Sequence, residues 1–403
     1  MNLATRQFIE THRYDDVQKL ALQYSTRTNS EIDIPNALRQ ISGRQHIEHK
    51  IPAWYSNDDI LYPQRLSLEQ CSSETTARYK ASILSGSSFV DLTGGFGVDT
   101  TFIAPHFSQV EYVEKQNELA EMARHNFSAL GLKHIQTHST DSISFLQNMH
   151  SCDCIYLDPA RRSHSGEKVL LIEDCEPNVL EIQDVLLQKA ERILIKLSPM
   201  LDIQAALKQL KNVSEIHVVS VGNECKELLF LMEKAVRPHP KISCVNFQKQ
   251  AIQCDTFDFS EEKKLSIDYH ASIQTYLYEP NASLLKAGFY KSIALRYAVD
   301  KLHADSHLYT SNRLIADFPG RIFQVESIAL FHKKELKSFL QSITQANISV
   351  RNFPLSVAEL RKQLKLKEGG DVYLFATTSA DGKRVIIHTK KQPAVEISNT
   401  TGC

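Results

Sequence analysis

The sequence predicts an α/β protein whose central part is a doubly wound, mostly parallel sheet of seven strands. Between residues 79 and 236, short apolar runs alternate regularly with helical patterns, which is typical of strands joined by crossover helices. The last two apolar runs, EIHVVSV and ELLFLME, are separated by only a few residues. Because so short a connection cannot make a parallel crossover, we expect an antiparallel hairpin at the edge of the sheet.

The elements of this region follow one another in a simple order. The predicted strands are SSFVDL, QVEYVE, IQTHS, CDCIYLD, RILIKLS, EIHVVSV and ELLFLME. Segments such as NELAEMARHNFSALGL and VLEIQDVLLQKA lie between strands and have the spacing of amphipathic helices. We therefore assign residues 79–236 to one α/β domain.

The two ends of the chain have different patterns. Residues 1–78 have helical periodicity and predict an N-terminal helical region. Beyond residue 237 the pattern is less regular, with amphipathic helices in SLLKAGFYKSIALRYAVDKL and HKKELKSFLQSITQANI and a hairpin around Asp381-Gly382. These features predict a smaller α+β part at the C-terminal end.

Composition limits the class of protein. The first twenty residues lack an apolar core, and no eighteen apolar residues run together, so neither a signal peptide nor a membrane span is predicted. We expect a cytoplasmic protein without a membrane partner. The net charge of the chain is −1, yet residues 333–391 hold twelve Lys or Arg against five Asp or Glu. This basic segment suggests a contact with phosphate, although a solvated surface explains it equally well.

Charged residues lie where the predicted strands end. Asp91 ends the first strand, Glu114 the second and Asp158 the fourth, while Asp141 follows the third and Lys196 lies near the end of the fifth. Ligands of open α/β sheets bind beyond the carboxyl ends of the strands. These five residues therefore mark the candidate site.

The stretch DLTGGFGVDT, directly after the first strand, is rich in glycine, so few side chains cover its backbone. Its glycines allow a ligand to approach the backbone closely, and Glu114 follows about twenty residues later, a position suited to ribose hydroxyls. These features favour an adenosine-containing ligand; a tight turn without a ligand is the plain alternative. A nicotinamide dinucleotide is the more specific alternative ligand. Its binding motif is G-x-G-x-x-G, but Thr100 stands at the position of the third glycine.

The same stretch resembles motif one of class I S-adenosylmethionine (SAM) methyltransferases, with Asp91-x-Thr93-x-Gly95-x-Gly97 for acid-x-Gly-x-Gly-x-Gly. The resemblance implies a Rossmann-like fold with SAM as cofactor. It also implies that Glu114 binds the ribose, that Asp141 meets the adenine amino group and that Asp91 faces the positive methionyl end. Gln70 and Ser72, in EQCSS, would lie over the methionyl end, although a helix cap explains the serines equally well.

Most of the chain resembles bacterial methyltransferases that carry a C-terminal THUMP-like domain. The segments that carry the resemblance are LRQISGRQHIEHKIPAW, YPQRLSLEQCSSETTARYKA, DLTGGFGVDT, YLDPARRS, IKLSPMLD and RKQLKLKEGGDVYLFATT. The resemblance implies a connecting and ferredoxin-like region over 237–320 and a THUMP-like domain over 321–396. It also implies that the basic C-terminal region binds RNA.

The segment YLDPARR stands where amino-group methyltransferases of nucleic acids carry an acid, two prolines and an aromatic residue. Asp158 and Pro159 keep the start of that pattern, while Ala160 and Arg161 replace the second proline and the aromatic. The aromatic that stacks on a flipped base is therefore missing. Arg161 and Arg162 either grip a phosphate of the substrate or pair with acids at the surface.

The chain also offers the Lys-Asp-Lys-Glu order of ribose 2′-O-methyltransferases, in Lys80, Asp158, Lys196 and Glu227. A hydroxyl is a poor nucleophile, and a lysine whose pKa is lowered by its surroundings can take its proton. The alternative is that both lysines are structural or solvated. A cysteine nucleophile is not expected, since no cysteine directly follows the fourth or fifth strand.

The sequence therefore predicts a SAM-dependent methyltransferase that modifies RNA and requires no metal. Two alternatives stay open: a methyltransferase acting on a protein or small molecule, and a noncatalytic RNA-binding protein that retains a SAM pocket. Binding of total RNA distinguishes the first alternative, and methyl transfer distinguishes the second.

Overall fold

The computed structural model describes residues 1–25, 31–161, 171–235, 239–249 and 251–393. The chain divides into two compact units. The first unit comprises Met1–Ser214 and Leu229–Arg237, and the second comprises Glu215–Leu228 and Pro238–Cys403.

The N-terminal region is helical, as the periodicity predicts. Its helices begin at side-chain caps: the Asn2 side chain accepts a hydrogen bond from the Thr5 amide, and Ser73 accepts one from Thr76. Ser73 is therefore the cap of its helix, and Ser72 is not. The helices are α1 Leu3–Thr11, α2 Val17–Tyr24, α3 Ile34–Ile47, α4 Pro52–Tyr55, α5 Arg65–Gln70 and α6 Glu74–Ile83.

The central sheet has nine strands, so the predicted count of seven is wrong. All seven predicted strands form, and a further hairpin of two strands, β10 and β11, extends the sheet beside β8. The strands of the central region are β1 Ser88–Asp91, β2 Gln109–Glu114, β3 Ile135–Ser139, β4 Cys152–Leu157, β5 Ala160–Arg161, β6 Cys175–Glu176, β7 Ala190–Leu197, β8 Val213–Val221, β9 Glu224–Glu233, β10 Lys241–Phe247 and β11 Ile252–Asp258.

The strand order of this sheet is β11-β10-β8-β9-β7-β4-β1-β2-β3. The pairs β1–β2, β1–β4, β2–β3 and β4–β7 are parallel, which confirms the mostly parallel α/β fold. Two residues, Gly222 and Asn223, join β8 to β9, both at positive φ as a tight hairpin turn requires. The strands β5 and β6 form a separate two-stranded ribbon.

Helices connect the parallel strands. They are α7 Val98–Ile103, α8 Asn117–Ala129, α9 Ser142–Asn148, α10 Val179–Lys189 and α11 Ile203–Gln209. The strands β1, β2 and β4 each end in at least three consecutive buried residues, whereas β3, at the edge of the sheet, does not. Such continuous burial is typical of parallel strands that are covered on both faces.

The second sheet belongs to the C-terminal part of the chain, with the order β13-β14-β12-β15-β18-β17-β16. Leu336 and Leu360 pack two helices against it, and β17 and β18 form the predicted hairpin, with Gly382 at a φ of +77°. Its strands are β12 Tyr276–Pro280, β13 Asp300–Lys301, β14 Tyr309–Ser311, β15 Gly320–Leu330, β16 Asn347–Arg351, β17 Val372–Thr378 and β18 Arg384–Lys391. The helices are α12 Glu261–Lys264, α13 Ala282–Ala287, α14 Tyr290–Arg296, α15 Lys333–Phe339 and α16 Val357–Leu364.

Candidate active site

The glycine-rich turn after β1 is built by close packing. A Cβ atom on Gly94 would lie 2.1 Å from the ring of Tyr112, and one on Gly97 would lie 2.9 Å from the ring of Phe127. Gly97 also has a φ of +84°, a conformation that side chains other than glycine rarely adopt. The turn is therefore restricted to glycine at these positions by both space and backbone geometry.

Glu114, at the end of β2, holds this turn. One carboxylate oxygen accepts a hydrogen bond of 2.9 Å from the Gly95 amide, and the other accepts one of 2.8 Å from the Gln116 amide. An ionised carboxylate has about four acceptor positions. Glu114 therefore keeps capacity for two further donors, which is what a pair of ribose hydroxyls requires.

Asp91, at the end of β1, is a buried carboxylate. It accepts hydrogen bonds from the Thr93 amide at 3.0 Å and from the Thr100 hydroxyl at 2.5 Å. Burial raises the pKa of Asp91 to about 7, with the charges of Asp99 and Asp158 adding to the rise and the hydrogen bonds opposing it. The charges of Asp99 and Asp158 thus disfavour ionisation of Asp91, and a cation bound close to Asp91 would favour its carboxylate form.

The other predicted cofactor residues lie in three different places: one caps a helix, one ends a helix and one lies in the glycine-rich turn. Asp141 caps α9, accepting from the amides of Ile143 and Ser144 at 3.0 and 2.9 Å, and its side chain is exposed. Gln70 is the exposed last residue of α5. Thr93 lies in the turn, where its hydroxyl accepts a hydrogen bond of 2.6 Å from the Asp158 amide.

Asp158 and Lys196 form an ion pair between the ends of β4 and β7. The pair is partly accessible, since 35% of the Asp158 side chain and 15% of the Lys196 side chain are exposed. Because the Thr93 hydroxyl binds the Asp158 amide, the glycine-rich turn is connected directly to this pair.

A second lysine–aspartate pair lies deeper, between α6 and α7. The Lys80 ammonium lies 3.2 Å from an Asp99 carboxylate oxygen and donates to the Ser72 hydroxyl at 3.1 Å. Asp99 also accepts hydrogen bonds of 2.8 Å from the hydroxyls of Ser72 and Tyr156. Lys80 is completely buried, so its charge is enclosed by protein.

The pKa of Asp99 shows how strongly this network favours the carboxylate. Burial alone would raise it, but the charges of Lys80 and Lys196 and the hydrogen bonds from Ser72 and Tyr156 lower it below its usual value. Lys196 therefore acts electrostatically on Asp99 as well as pairing with Asp158. Three of the four residues of the predicted tetrad lie in one connected group of charges.

The remaining predicted residues are less informative. Glu227 is buried in β9 and belongs to the second compact unit, and Pro159 is buried directly after Asp158. The structure describes only the backbone of Arg161, in β5, and Arg162 lies outside the described residues.

Sequence reasoning missed Asp99 and Tyr156. Asp99 lies in the helix VDTTFI, whose residues are all buried, and a lone acid in such a helix is a signal for a paired buried charge. Tyr156 lies in an apolar strand and offers no comparable signal. Cys71, beside Ser72, does not change the expectation about nucleophiles: burial raises the pKa of its thiol, which disfavours a reactive thiolate.

Two further searches concern metals and membranes. Among the described residues, no group of three or more His, Cys, Asp or Glu is arranged to hold a metal ion. Within the same part of the chain, no helix combines the length and the apolar character that a membrane crossing needs.

Comparisons with known proteins identify the class. The family model described as THUMP domain-like matches residues 320–391, and the one described as a ferredoxin-like domain matches residues 276–319. A solved structure from Porphyromonas gingivalis W83, provisionally described as a methyltransferase, is 36% identical and aligns with a TM-score of 0.88 over 97% of this chain and 98% of its own. No curated protein matches.

Two more distant solved structures cover 40% of the chain each. An rRNA methylase from Streptococcus thermophilus is 17% identical with a TM-score of 0.31 and 96% of its own length covered; M. capricolum TrmK, solved with S-adenosyl-homocysteine, is 11% identical with a TM-score of 0.32 and 68% covered. At such scores no statement about this chain follows from them.

The α/β fold, the glycine-rich turn and the acids at the strand ends define a class I methyltransferase. The chain belongs to the family of SAM-dependent methyltransferases with C-terminal ferredoxin-like and THUMP-like domains. It is similar to the P. gingivalis protein over 97% of its length.

Proposed function

We propose that the protein transfers a methyl group from SAM to RNA. The observation that carries the proposal is the partly exposed Asp158–Lys196 pair, which is joined through Thr93 to the glycine-rich turn. A cofactor cradle and a charged pair that an acceptor can reach therefore lie side by side, as methyl transfer requires.

The cradle supports SAM in its shape and in its charge. A Cβ on Gly95 would come no closer than 3.8 Å to another atom, so the turn is open on that side, and Glu114 retains acceptor capacity for the ribose hydroxyls. Asp91 would face the positively charged methionyl end, and Asp141 the adenine amino group. When bound, SAM supplies an activated methyl group on a positively charged sulfur.

Gln70 and Ser72 have a weaker claim on the cofactor. The Ser72 hydroxyl is already hydrogen-bonded to Asp99 and Lys80. We therefore propose that it holds these two side chains in place and does not contact SAM. Gln70, at the exposed end of α5, remains a proposed contact above the methionyl end.

The Asp158–Lys196 pair would orient the acceptor. Its proton would pass to an Asp158 oxygen, or to the Lys196 Nζ after Lys196 has released its own proton to solvent. Lys80 cannot reach an acceptor in the same way, because it is completely buried and bound to Ser72 and Asp99. We therefore propose that Lys80 positions the site rather than moving the proton; a role for Glu227 stays a prediction.

Two features favour RNA as the acceptor. The THUMP-like match covers residues 320–391, and the overlapping segment 333–391 carries a net charge of +7, which suits a polyanion. Pro159, Arg161 and Arg162 would contact the RNA next to the acceptor pair.

The domain boundaries at residues 78, 236 and 320 and the cytoplasmic location remain predictions.

Methyl transfer into RNA tests the proposal. Purified protein is incubated with SAM labelled in the methyl group and with total RNA from cells that lack the protein. We expect label in RNA with the wild type, no label above background with Asp158→Asn, and wild-type label with Asp184→Asn, a matched change in an exposed pair with Lys211. Label found only in protein or small molecules would overturn the choice of RNA, and equal label with Asp158→Asn would overturn the site.

A further inference from the structure

The N-terminal helical region contains a cavity, lined by both charged and apolar residues, that methyl transfer does not use. Its volume is about 120 Å³, and residues of α1, of α3 and of the segment 58–62 line it together with His125. Since one water needs roughly 10–15 Å³ on this scale, the cavity holds a ligand of roughly ten non-hydrogen atoms.

Three arginines line this cavity, Arg6, Arg13 and Arg44, and two of them share one carboxylate. Arg44 is 9% exposed, its guanidinium lies 4.8 Å above the centre of the Tyr55 ring, and it pairs with Asp58 at 2.7 Å. Arg13 also pairs with Asp58, at 3.3 Å. One carboxylate, itself 70% exposed, therefore serves two arginines.

The buried polar groups around the cavity have a surplus of donors. The Nε of Arg13, the Nε of Arg44 and the Tyr62 hydroxyl are all buried without a hydrogen-bond partner among the described residues. Burial also raises the pKa of Tyr62 far above its usual value, so the hydroxyl keeps its proton. Unpaired buried donors are rare and costly, so three around one cavity indicate a missing acceptor.

The acidic residues that line the cavity lie at its outer side. Glu10, Asp58 and Asp59 are all exposed, whereas Arg44 and Tyr62 are buried. Asp58 pairs with both arginines and offsets part of their charge. The donors that still lack an acceptor among the described residues are the two Nε atoms and the Tyr62 hydroxyl.

The wall that carries Tyr62 is held rigidly from two sides. The Gln40 side chain on α3 bonds both the amide and the carbonyl of Tyr62, at 2.8 and 3.0 Å. From α8, Asn126 bonds both backbone groups of Leu61 at 2.9 Å, and His125 contacts the Asp59 carbonyl at 2.8 Å. Side chains thus fix three residues of an extended segment, as in a preorganised binding site.

We propose that this cavity binds a small oxyanion, a phosphate or carboxylate group, between Arg13, Arg44 and Tyr62. Such a ligand offers several acceptor oxygens to donors that have none, and arginines pair with both kinds of anion. The inference is independent of the proposed acceptor, since no residue of the cofactor cradle lines the cavity.

Calorimetry with the full-length protein tests this proposal. Inorganic phosphate, ribose 5-phosphate and malonate are titrated separately, with and without S-adenosylhomocysteine, so that the cofactor cradle is not the site observed. We expect one of the three to bind at one site per chain, and the tighter class identifies phosphate or carboxylate as the ligand.

Variants locate the binding. Tyr62→Phe removes one donor and Arg13→Gln removes the charged guanidinium, and each should weaken binding of the anion at least about tenfold. Arg39→Gln is the matched control, because Arg39 lies on α3 but pairs with Glu118 outside the cavity. Melting curves establish that each variant is folded. Absence of binding by the wild type, or equal weakening by Arg39→Gln, would overturn the proposal.

Discussion

The two lysine–aspartate pairs of the catalytic domain have the same chemistry and opposite surroundings. Lys80 and Asp99 have side-chain exposures of 0% and 10%, and Asp99 has two further hydroxyl donors. Lys196 and Asp158 have exposures of 15% and 35%. A buried pair with several further partners is suited to a structural role, whereas a partly exposed pair remains accessible to a substrate.

The largest effect expected from this difference is on stability. Lys80→Met leaves Asp99 as a buried carboxylate without its cation, which should lower the free energy of unfolding by about 3–5 kcal/mol. Urea denaturation measures the change. Lys211→Met is the control, since its exposed pair with Asp184 should contribute less than about 1 kcal/mol. Similar losses in both variants would remove the distinction between the pairs.

The exposed pair should affect the reaction more than the fold. Lys196→Met should lower kcat about 100-fold, the usual order for loss of a proton-transfer group, while the dissociation constant for SAM stays within about threefold. Single-turnover transfer to RNA and calorimetry with SAM measure the two quantities. A variant with wild-type kcat would show that the Lys196 side chain takes no part in the chemistry.

The raised pKa of Asp91, which belongs to neither pair, predicts a pH dependence of cofactor binding. Asp91 has a pKa of about 7, and only its ionised form attracts the positive end of SAM, so affinity should rise roughly tenfold from pH 6 to pH 8. Asp91→Asn should bind SAM more weakly and without this rise. Affinity that is constant or falls over the same range in the wild type would contradict the assignment.

The same raised pKa has a consequence for stability. The folded protein holds the Asp91 proton more tightly than the unfolded chain, so this group's contribution to stability is fully present below the ordinary value of 3.8 and is lost as pH rises through about 7. Bound SAM should oppose that loss.

The smallest expected effect concerns RNA affinity in the C-terminal part. Arg321 and Arg351, with side chains 31% and 36% exposed, are both held by the buried Glu279. Arg351→Gln should weaken RNA binding two- to fivefold and reduce its dependence on salt. Filter binding at two salt concentrations measures this, with Arg296→Gln as control, since Arg296 lies outside the THUMP-like segment and pairs with Asp255. Equal loss in both variants would argue against this surface.

The parts of the fold that follow from local patterns could be predicted from the sequence. Alternating strands and helices, the bare turn at Gly95 and the tight hairpin at Asp381-Gly382 all depend on short-range chemistry. The strand β10 could not be found this way, because its place beside β8 depends on pairing with a distant segment. The predicted helix SLLKAGFYKSIALRYAVDKL is wrong as one element, since Gly288, at a φ of +82°, ends α13 before α14 begins.

The site divides in the same way. Four site residues could be predicted because ligands of parallel sheets bind at the carboxyl ends of the strands. They are Asp91, Glu114, Asp158 and Lys196. The partners of Lys80 were not predictable, because Asp99 and Tyr156 meet it only through the packing of α6 and α7 and the end of β4. Spacing along the chain reveals candidates, but only three-dimensional burial separates a structural lysine from one that an acceptor can reach.

Calorimetry with SAM tests the central claim most directly. We expect purified wild-type protein to bind one SAM per chain and Glu114→Ala to bind it at least about tenfold more weakly, since the carboxylate holds the glycine-rich turn and, as proposed, would accept hydrogen bonds from the ribose. No heat with SAM or S-adenosylhomocysteine, together with tight binding of a nicotinamide dinucleotide, would contradict the account.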